Sequence, residues 1–383
     1  MSANWNLVKL SEIARPVWRP VAVDAGVSYR TIGVRLWGQG AYERETIDGS
    51  QTAAKTLFIV HENDLIINKI WVRNGSIAVA TKVVDGCAAS GEFPTFELDQ
   101  TKVLPRWLHW LSKTKLFWEQ CDKLSQGTSG KNRIKPELFL TVSIPLPPLE
   151  EQRRIISKID KINAKINESR LHQADSEKDL DKILLFYYSE IIKGAKYLPF
   201  GEVAPLVRRP VEVLSDVDYL ELGVRSFGKG TFHKPALNGL SVGSKKLFQI
   251  EPNDLIFNIV FAWEGAIAVV KPEDGGRVGS HRFLTCVPKE GLATSQFLRF
   301  HFLTPKGLED INKVSPGSAG RNKTLGIKSL ENIKVPVPEF GKQLWFDELQ
   351  AKTEAVKQLQ TETAAELDAL LPAVLDRAFK GEL

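Results

Sequence analysis

One stretch decides how this chain is organised: Ile144-Pro145-Leu146-Pro147-Pro148-Leu149-Glu150-Glu151-Gln152-Arg153-Arg154. Its three prolines favour an extended segment, and the acidic pair after them suits the first turn of a helix, where the macrodipole stabilises negative charge. A weaker copy, Val335-Pro336-Val337-Pro338-Glu339, is followed by Gln343, which stands 191 residues after Gln152. The recurrence predicts a duplicated chain in which an extended segment twice leads into a long helix.

The repeat extends upstream of both copies at an offset of 190 residues. Gly33-Val34-Arg35 recurs as Gly223-Val224-Arg225, and Asn63-Asp64-Leu65-Ile66 recurs as Asn253-Asp254-Leu255-Ile256. Within each copy, short β-branched and apolar runs lie between Gly, Asn and Asp turn residues, and a more helical segment follows, which is typical of strands and hairpins before helices. So many matches in one register predict an α+β fold with two repeated mixed α/β modules.

Two long helices are expected after the modules. In the first, Ile155, Ile159, Ile162 and Ile166 are spaced by four, three and four residues, and the same register continues through Leu180, Ile183 and Tyr187. The second presents Leu349, Val356, Leu359, Thr363, Leu367, Leu370 and Val374. Such stripes predict two antiparallel coiled-coil helices related by a pseudo-twofold axis, although pairing between molecules also satisfies the pattern. The predicted domains are a first module at 1–148, a helix at 149–195, a second module at 196–340 and a helix at 341–383.

Composition limits the class of protein. A chain of 383 residues with 25% charged and 43% hydrophobic residues is typical of a globular protein with more than one core. No apolar run approaches the roughly 20 residues of a membrane span, and the N-terminus lacks a signal pattern, so a cytoplasmic location is predicted. Cys87, Cys121 and Cys286 lack CxxC spacing and are predicted to be buried thiols.

Catalytic motifs are absent from the sequence. It contains no G-x-S-x-G, no HExxH and no GxGxxG after a strand, and its six histidines do not cluster at metal-ligand spacing. The loop and strand motifs of an S-adenosylmethionine-dependent DNA methyltransferase are also missing. The sequence therefore predicts no intrinsic catalysis, no cofactor and no metal.

Positive charge is concentrated in the two modules. Residues 1–148 carry 18 Lys and Arg against 14 Asp and Glu, and residues 196–340 carry 19 against 15. The helical stretches 149–195 and 341–383 carry 9 against 9 and 5 against 8. This distribution favours modules that meet phosphates and helices that meet protein, although ordinary surface variation can produce it.

A Gly-rich basic loop precedes the proline segment of each module, at Gln126–Arg133 and Pro316–Lys323. Glycine lets backbone N–H groups approach an anion, hydroxyl and cationic side chains donate to phosphate oxygens, and Asn or Arg can pair with a base edge. One copy alone favours a solvated turn, whereas its repetition favours contact with DNA. The predicted DNA-binding residues of the loops are Thr128, Ser129, Lys131, Asn132, Arg133, Ser318, Arg321, Asn322 and Lys323.

A second candidate is the Gly-rich turn Arg35-Leu36-Trp37-Gly38-Gln39-Gly40 and its copy Arg225-Ser226-Phe227-Gly228-Lys229-Gly230. Each turn offers a cation and an aromatic ring, although an aromatic beside glycine is as often local packing. The predicted DNA-binding residues here are Arg35, Trp37, Arg225 and Lys229. The segment Lys69–Asn74 aligns with Ile259–Glu264, and its charges differ between the copies, as two modules reading different sequences would require. Asn68 and Asn258 are predicted to cap turns.

Together these features resemble the DNA-specificity subunit of type I restriction-modification systems. The resemblance rests on two variable modules that are each closed by a proline segment and a long helix, with Leu146-Pro147-Pro148-Leu149-Glu150-Glu151-Gln152-Arg153 at the first junction. The chain end, Leu370-Leu371-Pro372-Ala373-Val374-Leu375-Asp376-Arg377-Ala378-Phe379-Lys380-Gly381-Glu382-Leu383, also fits, so the resemblance spans essentially the whole chain. The second junction departs from the pattern because it lacks the paired prolines and the Glu-Gln.

The resemblance implies a non-catalytic subunit that binds double-stranded DNA. In that family each module is a target recognition domain that reads half of a split, asymmetric sequence, and the antiparallel helices set the unread spacer. Two modification subunits dock on the helices and methylate adenine, and restriction subunits join the larger complex. Two alternatives stay open: the recognition part of another DNA-modifying assembly, and a non-DNA scaffold that carries two ligand-binding heads on a coiled coil.

Overall fold

The computed structural model describes residues 5–125, 132–317 and 323–383. The chain forms two compact units, of which unit 1 comprises Met1–Gln173 with Gln360–Leu383 and unit 2 comprises Ala174–Leu359. We call the part of unit 1 from Leu7 to Pro145 head 1, and the part of unit 2 from Lys196 to Val337 head 2. Each unit holds one mixed α/β head and two segments of long helix, so the predicted fold class is confirmed.

Head 1 consists of short strands followed by short helices. Its strands are β1 (Leu7–Lys9), β2 (Ala14–Val17), β3 (Pro20–Ala22), β4 (Ser28–Val34), β5 (Ala41–Asp48), β6 (Thr56–Ile59), β7 (Leu65–Ile67), β8 (Ile77–Val79), β9 (Ala88–Ala89), β10 (Thr95–Leu98) and β11 (Ser143–Pro145). Its helices are α1 (Pro105–Leu111), α2 (Lys115–Leu124) and α3 (Pro136–Phe139), and the long helix α4 (Leu149–Ile191) follows. The sheets have the orders β3-β6-β9-β4-β5, β2-β10-β7-β8 and β1-β11.

Head 2 repeats this construction. Its strands are β12 (Lys196–Pro199), β13 (Pro210–Val211), β14 (Asp218–Val224), β15 (Thr231–Asn238), β16 (Leu247–Gln249), β17 (Leu255–Asn258), β18 (Ile267–Val269), β19 (Val278–Ser280), β20 (Phe283–Cys286) and β21 (Lys334–Val337). Its helices are α5 (Phe200–Val203), α6 (Gly239–Val242), α7 (Ser295–Leu303), α8 (Pro305–Lys313) and α9 (Ile327–Glu331), and the long helix α10 (Phe340–Phe379) follows. The sheets have the orders β13-β16-β19-β14-β15, β18-β17-β20 and β12-β21.

A central strand in each head fills two hydrophobic cores. Leu65 and Ile67 of β7 belong to the core that contains the helices of head 1, whereas Ile66 belongs to the core under the five-stranded sheet. Phe257 and Ile256 of β17 divide in the same way in head 2. Because side chains of a strand alternate between its faces, a strand covered on both faces becomes a continuous apolar run. This explains why both copies of the repeat keep that run.

The stretch around Gln152 joins head 1 to α4 through a buried amide. Gln152 is fully buried, and its Oε1 accepts from Leu104 N at 2.9 Å while its Nε2 donates to Lys102 O and Pro147 O at 2.9 and 2.8 Å. Gln343 makes the same three hydrogen bonds in unit 2, to Thr294 N, Leu292 O and Pro338 O. The second junction therefore keeps the hydrogen-bonding role of the first, although its sequence lacks the paired prolines and the Glu-Gln.

The long helices run antiparallel to each other within each unit. In unit 1, Arg154 of α4 donates to Leu383 O, and Arg170 pairs with Asp368 of α10 at 2.6 Å. In unit 2, Lys357 of α10 pairs with Asp181 of α4 at 2.6 Å, and Tyr188 packs on Phe346. The predicted antiparallel pairing of the helices within one chain is confirmed in both units.

The predicted seam is correct at the start of α4 and wrong further along. Ile155, Ile159 and Ile166 are buried as expected, but Leu184 and Tyr188 are buried in place of the predicted Ile183 and Tyr187, which are about 40% exposed. Leu184 and Tyr188 pack against Phe297 and Phe346, so this part of α4 contacts head 2 as well as α10. A helix that covers a globular surface follows its own period of about 3.6 residues rather than the heptad period of 3.5.

The predicted stripe of α10 is also wrong in its middle. Val356, Leu359, Thr363 and Leu370 are exposed, whereas Thr353 is buried. The face of α10 that meets α4 in unit 2 is partly polar there, because Lys357 pairs with Asp181. A prediction that follows apolar residues therefore selects positions on a face of α10 beside the face that contacts α4.

Two further predictions concern the three cysteine thiols and membrane-spanning helices. Cys87, Cys121 and Cys286 are free and buried, as predicted, and burial raises the pKa of each thiol. Among helices in the described ranges, none is long and apolar enough to cross a membrane.

Candidate nucleic-acid interface

The predicted DNA-binding residues fall into described and undescribed parts of the chain. Lying outside the described residues are Thr128, Ser129, Lys131, Ser318, Arg321 and Asn322. The structure describes the C-terminal flanks of the two basic loops, with Asn132, Arg133 and Lys323. It also describes the Gly-rich turns, with Arg35, Trp37, Arg225 and Lys229.

A short segment connects these predicted groups in each head. We call Asn68–Gly75 and its copy Asn258–Gly265 the hub segments. The Asn68 side chain accepts hydrogen bonds from Ile70 N and Trp71 N at 2.9 and 3.3 Å, and Asn258 accepts one from Val260 N at 3.2 Å. Both segments end on a glycine in the left-handed region, with φ of 71° and 76°. The predicted turn-capping role of the two asparagines is confirmed.

The start of each hub segment binds the flank of the basic loop. In head 1, Ile134 N donates to Lys69 O at 3.0 Å, and Lys69 N donates to Glu92 O at 3.0 Å. In head 2, Leu325 N donates to Ile259 O at 2.8 Å, and Ile259 N donates to the carbonyl of Arg282 at 2.9 Å. The same backbone pattern thus fixes the loop flank beside the turn that contains Glu92 or Arg282.

The end of each hub segment binds the Gly-rich turn. Trp37 N donates to Asn74 O at 2.7 Å, and Gly38 N donates to Gly75 O at 2.8 Å. In head 2, Phe227 N donates to Glu264 O at 2.7 Å, with an equivalent bond between the two following glycines. Each hub segment therefore brings together two groups that lie about 100 residues apart in the sequence.

An aromatic residue stands in a strained conformation on each turn. Trp37 and Phe227 have φ of 56° and 61°, a region that few non-glycine residues adopt, and they are 51% and 74% exposed. Trp37 contacts Trp118 edge to face at 5.5 Å, and both rings line an open cleft with Trp71, Arg73 and Lys115. Exposed rings beside cations suit stacking on sugars or bases.

Two partly buried cations that the sequence reasoning missed support the turns. Lys113 Nζ donates to Gly38 O at 2.6 Å, and Arg299 donates to Gly228 O at 2.7 Å. Burial lowers the pKa of both side chains. In the sequence, Arg299 interrupts the aromatic run of α7. A lone arginine in such a run was the signal that could have identified this residue as a support for the turn.

The predicted cations of the turns are held by their own hairpins. The guanidinium of Arg35 lies 4.2 Å from the centre of the Tyr42 ring, and that of Arg225 lies 4.9 Å from the centre of the Phe232 ring. Lys229 lines a cleft within unit 2 that also contains Arg299. Stacking holds the two arginines against their hairpins, and Arg225 also donates to Thr231 O at 2.9 Å.

The flanks of the basic loops have different partners in the two heads. Arg133 pairs with Glu92 at 3.3 Å. Its equivalent, Lys323, donates to Asn312 Oδ1 at 2.7 Å and lies 5.0 Å from the centre of the Trp263 ring. The backbone frame is shared by the heads, but the side chains on it differ.

Comparison with known proteins agrees with the sequence resemblance. Residues 24–175 match the family model described as "Type I restriction modification DNA specificity domain". The chain is 22% identical over 305 residues, or 71% of its length, to the type I restriction enzyme EcoKI specificity subunit of Escherichia coli strain K12. The matched region spans 64% of the length of that relative. The predicted family resemblance is confirmed by these matches.

Two solved structures share the fold. The crystal structure of the HsdS subunit from Thermoanaerobacter tengcongensis aligns over 100% of this chain and 98% of that chain, with a TM-score of 0.63 and 20% identity. A chain from the structural work on complex assembly and conformational transition of the type I R-M system aligns over the full length of both chains, with a TM-score of 0.72 and 20% identity. At this identity the likeness concerns the fold.

Proposed function

We propose that this chain is the DNA-recognition subunit of a type I restriction-modification complex. It reads a bipartite, asymmetric DNA target with a fixed unread spacer and directs adenine methylation and restriction by partner subunits. The chain itself is not catalytic in this proposal. The family match over residues 24–175 is the premise from which the proposal proceeds.

One observation carries the proposal: two heads share a backbone frame and differ in the side chains on it. The hub segments make the same backbone hydrogen bonds to the loop flank and to the Gly-rich turn in both heads. However, Lys69 and Arg73 of head 1 correspond to Ile259 and Trp263 of head 2. Identical reading surfaces would suit a palindrome, whereas unlike surfaces on like frames suit two different half-sites.

The DNA contacts of each head are assigned to the hub segment and the groups that it holds. The turns contribute stacking rings and cations, and the loop flanks contribute Asn132, Arg133 and Lys323. We include the undescribed loop residues because their sequence carries the same chemistry. The full proposed set is Arg35, Trp37, Thr128, Ser129, Lys131, Asn132, Arg133, Arg225, Lys229, Ser318, Arg321, Asn322 and Lys323.

The partners follow from the same assignment. Residues 1–148 and 196–340 are the two target recognition domains in this proposal, and 149–195 with 341–383 are the helices on which two modification subunits dock. An exposed aromatic group in unit 2 supports docking there, because Tyr187 and Trp345 contact each other at 5.2 Å and remain more than one third exposed. Restriction subunits join the larger complex, and the complex works in the cytoplasm.

The experiment that tests the function is a map of methylated adenines in cells that carry this chain and its modification subunit. Cells that lack only this chain are the comparison. We expect one bipartite motif with a fixed gap to be methylated in the first strain and to lose its methylation in the second. An unchanged map, with a modification subunit shown to be active, would contradict the proposal and favour a two-headed scaffold without a DNA target.

A further inference from the structure

A cleft in head 2 lies beside the hub segment. It has a volume of 460 Å³, and aromatic rings from three elements, including the half-exposed Phe261, form part of its wall. The charged side chains that line it are Lys234, Lys245, Arg282 and Glu221, with His281 beside them. The excess of positive charge suits a nucleic acid backbone at the rim.

Some positions of this cleft carry a cation in both heads. Lys234 and Lys245 correspond to Arg44 and Lys55 at the offset of 190 residues. Phosphate contacts carry no sequence information, so two heads that read different half-sites can use the same residues for them. Cations retained between the heads are therefore expected to contact phosphates.

One position of the cleft carries opposite charges in the two heads. Arg282 corresponds to Glu92, and the two stand on the turns that lead into β20 and β10, next to Phe283 and Phe93. Their backbone carbonyls accept the same hydrogen bond from the hub segment, at 2.9 and 3.0 Å. The two side chains therefore start from equivalent points of the frame and present opposite chemistry.

The neighbouring flank residue changes its partner accordingly. Arg133 pairs with Glu92, whereas Lys323 turns to Asn312 and Trp263 in the head that has Arg282. Arg282 forms no ion pair with any residue in the described ranges. Lys323 and Arg282 carry like charges, which repel. These two residues of head 2 therefore cannot form the ion pair that Arg133 and Glu92 form in head 1.

Glu92 retains an unused acceptor. Its Oε1 faces Arg133 at 3.3 Å, whereas its Oε2 is shielded from solvent and accepts no hydrogen bond within the described part of the chain. A carboxylate on a DNA-facing surface is unfavourable beside phosphates unless it accepts a hydrogen bond from a base. The Glu92–Arg133 pair is partly exposed, and exposed ion pairs contribute little to stability, so the pair opens when DNA binds and turns the carboxylate of Glu92 toward the base.

We propose that positions 92 and 282 each read one base pair, as a deeper level of the DNA-recognition function proposed above, on which this inference rests. Arg282 donates to O6 and N7 of a guanine in one half-site. Glu92 accepts a hydrogen bond from the N4 amino group of a cytosine in the other half-site. These are the pairings that the geometry of the two side chains favours in the major groove.

The test is the methylation map repeated with Arg282→Gln and with Glu92→Gln. We expect Arg282→Gln to relax one guanine position of one half-site by roughly tenfold or more, and Glu92→Gln to relax one cytosine position of the other. The second half-site and the gap should be unchanged in each variant. Lys245→Gln and Lys55→Gln are the matched controls, because they should lower methylation at all sites without altering the motif.

Each other outcome has a defined meaning. If a variant methylates too little to map, binding of the purified complex to duplexes that each carry one changed base pair gives the same information. Relaxation at one position supports the inference, whereas an unchanged motif or equal loss at every position overturns it. A wild-type chain that yields no bipartite motif would instead refute the proposed function itself.

Discussion

Tyr188 and His301 form a buried polar pair where one head meets its long helices. The Tyr188 hydroxyl lies 2.5 Å from His301 Nδ1, and both side chains are almost inaccessible to solvent. Unit 1 has the apolar residues Phe379 and Leu111 at the equivalent positions. The equivalent positions are therefore filled by a hydrogen-bonded polar pair in unit 2 and by two apolar residues in unit 1.

This pair predicts a non-additive double substitution. His301→Leu and Tyr188→Phe should each lower the free energy of unfolding by about 1–3 kcal/mol, because each leaves a buried partner without its hydrogen bond. The double variant reproduces the chemistry of unit 1 and should lose less than the sum of the two. Urea unfolding of the four proteins measures this. Additive losses would mean that the hydrogen bond contributes nothing specific.

The same four proteins give a pH readout. Burial lowers the pKa of His301 to about 4, so the neutral imidazole is the folded form. The pair's contribution is therefore fully present above the ordinary histidine pKa of about 6.5, and it is lost as the pH falls toward 4. Variants with His301→Leu should accordingly lose less stability than the wild type between pH 7 and pH 5.

At the scale of single residues, the sequence predicts which side chains have the chemistry for DNA contact better than it predicts which side chains lie close together. The basic loops and Gly-rich turns are recognisable because their residue types repeat at one offset. Glu92 and Arg282 escape notice, since their importance depends on a backbone contact with the hub segment and on a difference, not a likeness, between the copies. A scan for equivalent positions with opposite charge would find them.

The helix junctions are the elements that hold each head on its long helix. A buried glutamine makes three hydrogen bonds at each junction. Gln152→Ala or Gln343→Ala therefore leaves buried backbone groups without their hydrogen-bond partners. Each substitution should lower the free energy of unfolding by roughly 3 kcal/mol. The exposed Gln100 offers a matched control, Gln100→Ala, with an expected change below about 0.5 kcal/mol. Thermal unfolding followed by circular dichroism measures the difference, and equal shifts in all three variants would contradict the assignment.

Elements were predictable from the sequence to different extents. Both long helices follow from their proline starts and periodic stripes, and the repeat identifies the strands. The residues that face inward along α4 and α10 were predicted less well, because heptad spacing assumes that a helix meets only another helix. Leu184 and Tyr188 meet head 2 as well, and α10 contacts α4 there through the ion pair of Lys357 rather than through the predicted Val356, which is exposed.

For the whole molecule, the distribution of charge predicts which surface binds DNA. Residues 1–148 and 196–340 hold an excess of Lys and Arg, whereas the long helices hold none. Each phosphate neutralised by a protein cation releases counterions, so the logarithm of the binding constant falls with the logarithm of salt concentration by about 0.9 per contact. The heads, and not the helices, should therefore determine the salt dependence of binding.

A pair of double variants tests this on the purified chain with a duplex of arbitrary sequence. Lys55→Gln combined with Lys245→Gln removes one cation from each head and should reduce the salt slope by about 2. Lys178→Gln combined with Lys182→Gln removes two exposed cations from α4 and should leave the slope unchanged. Fluorescence anisotropy at several salt concentrations measures both slopes. A reduction with the helix variant equal to that with the head variant would show that DNA binds along the helices, and it would remove the basis for assigning recognition to the heads.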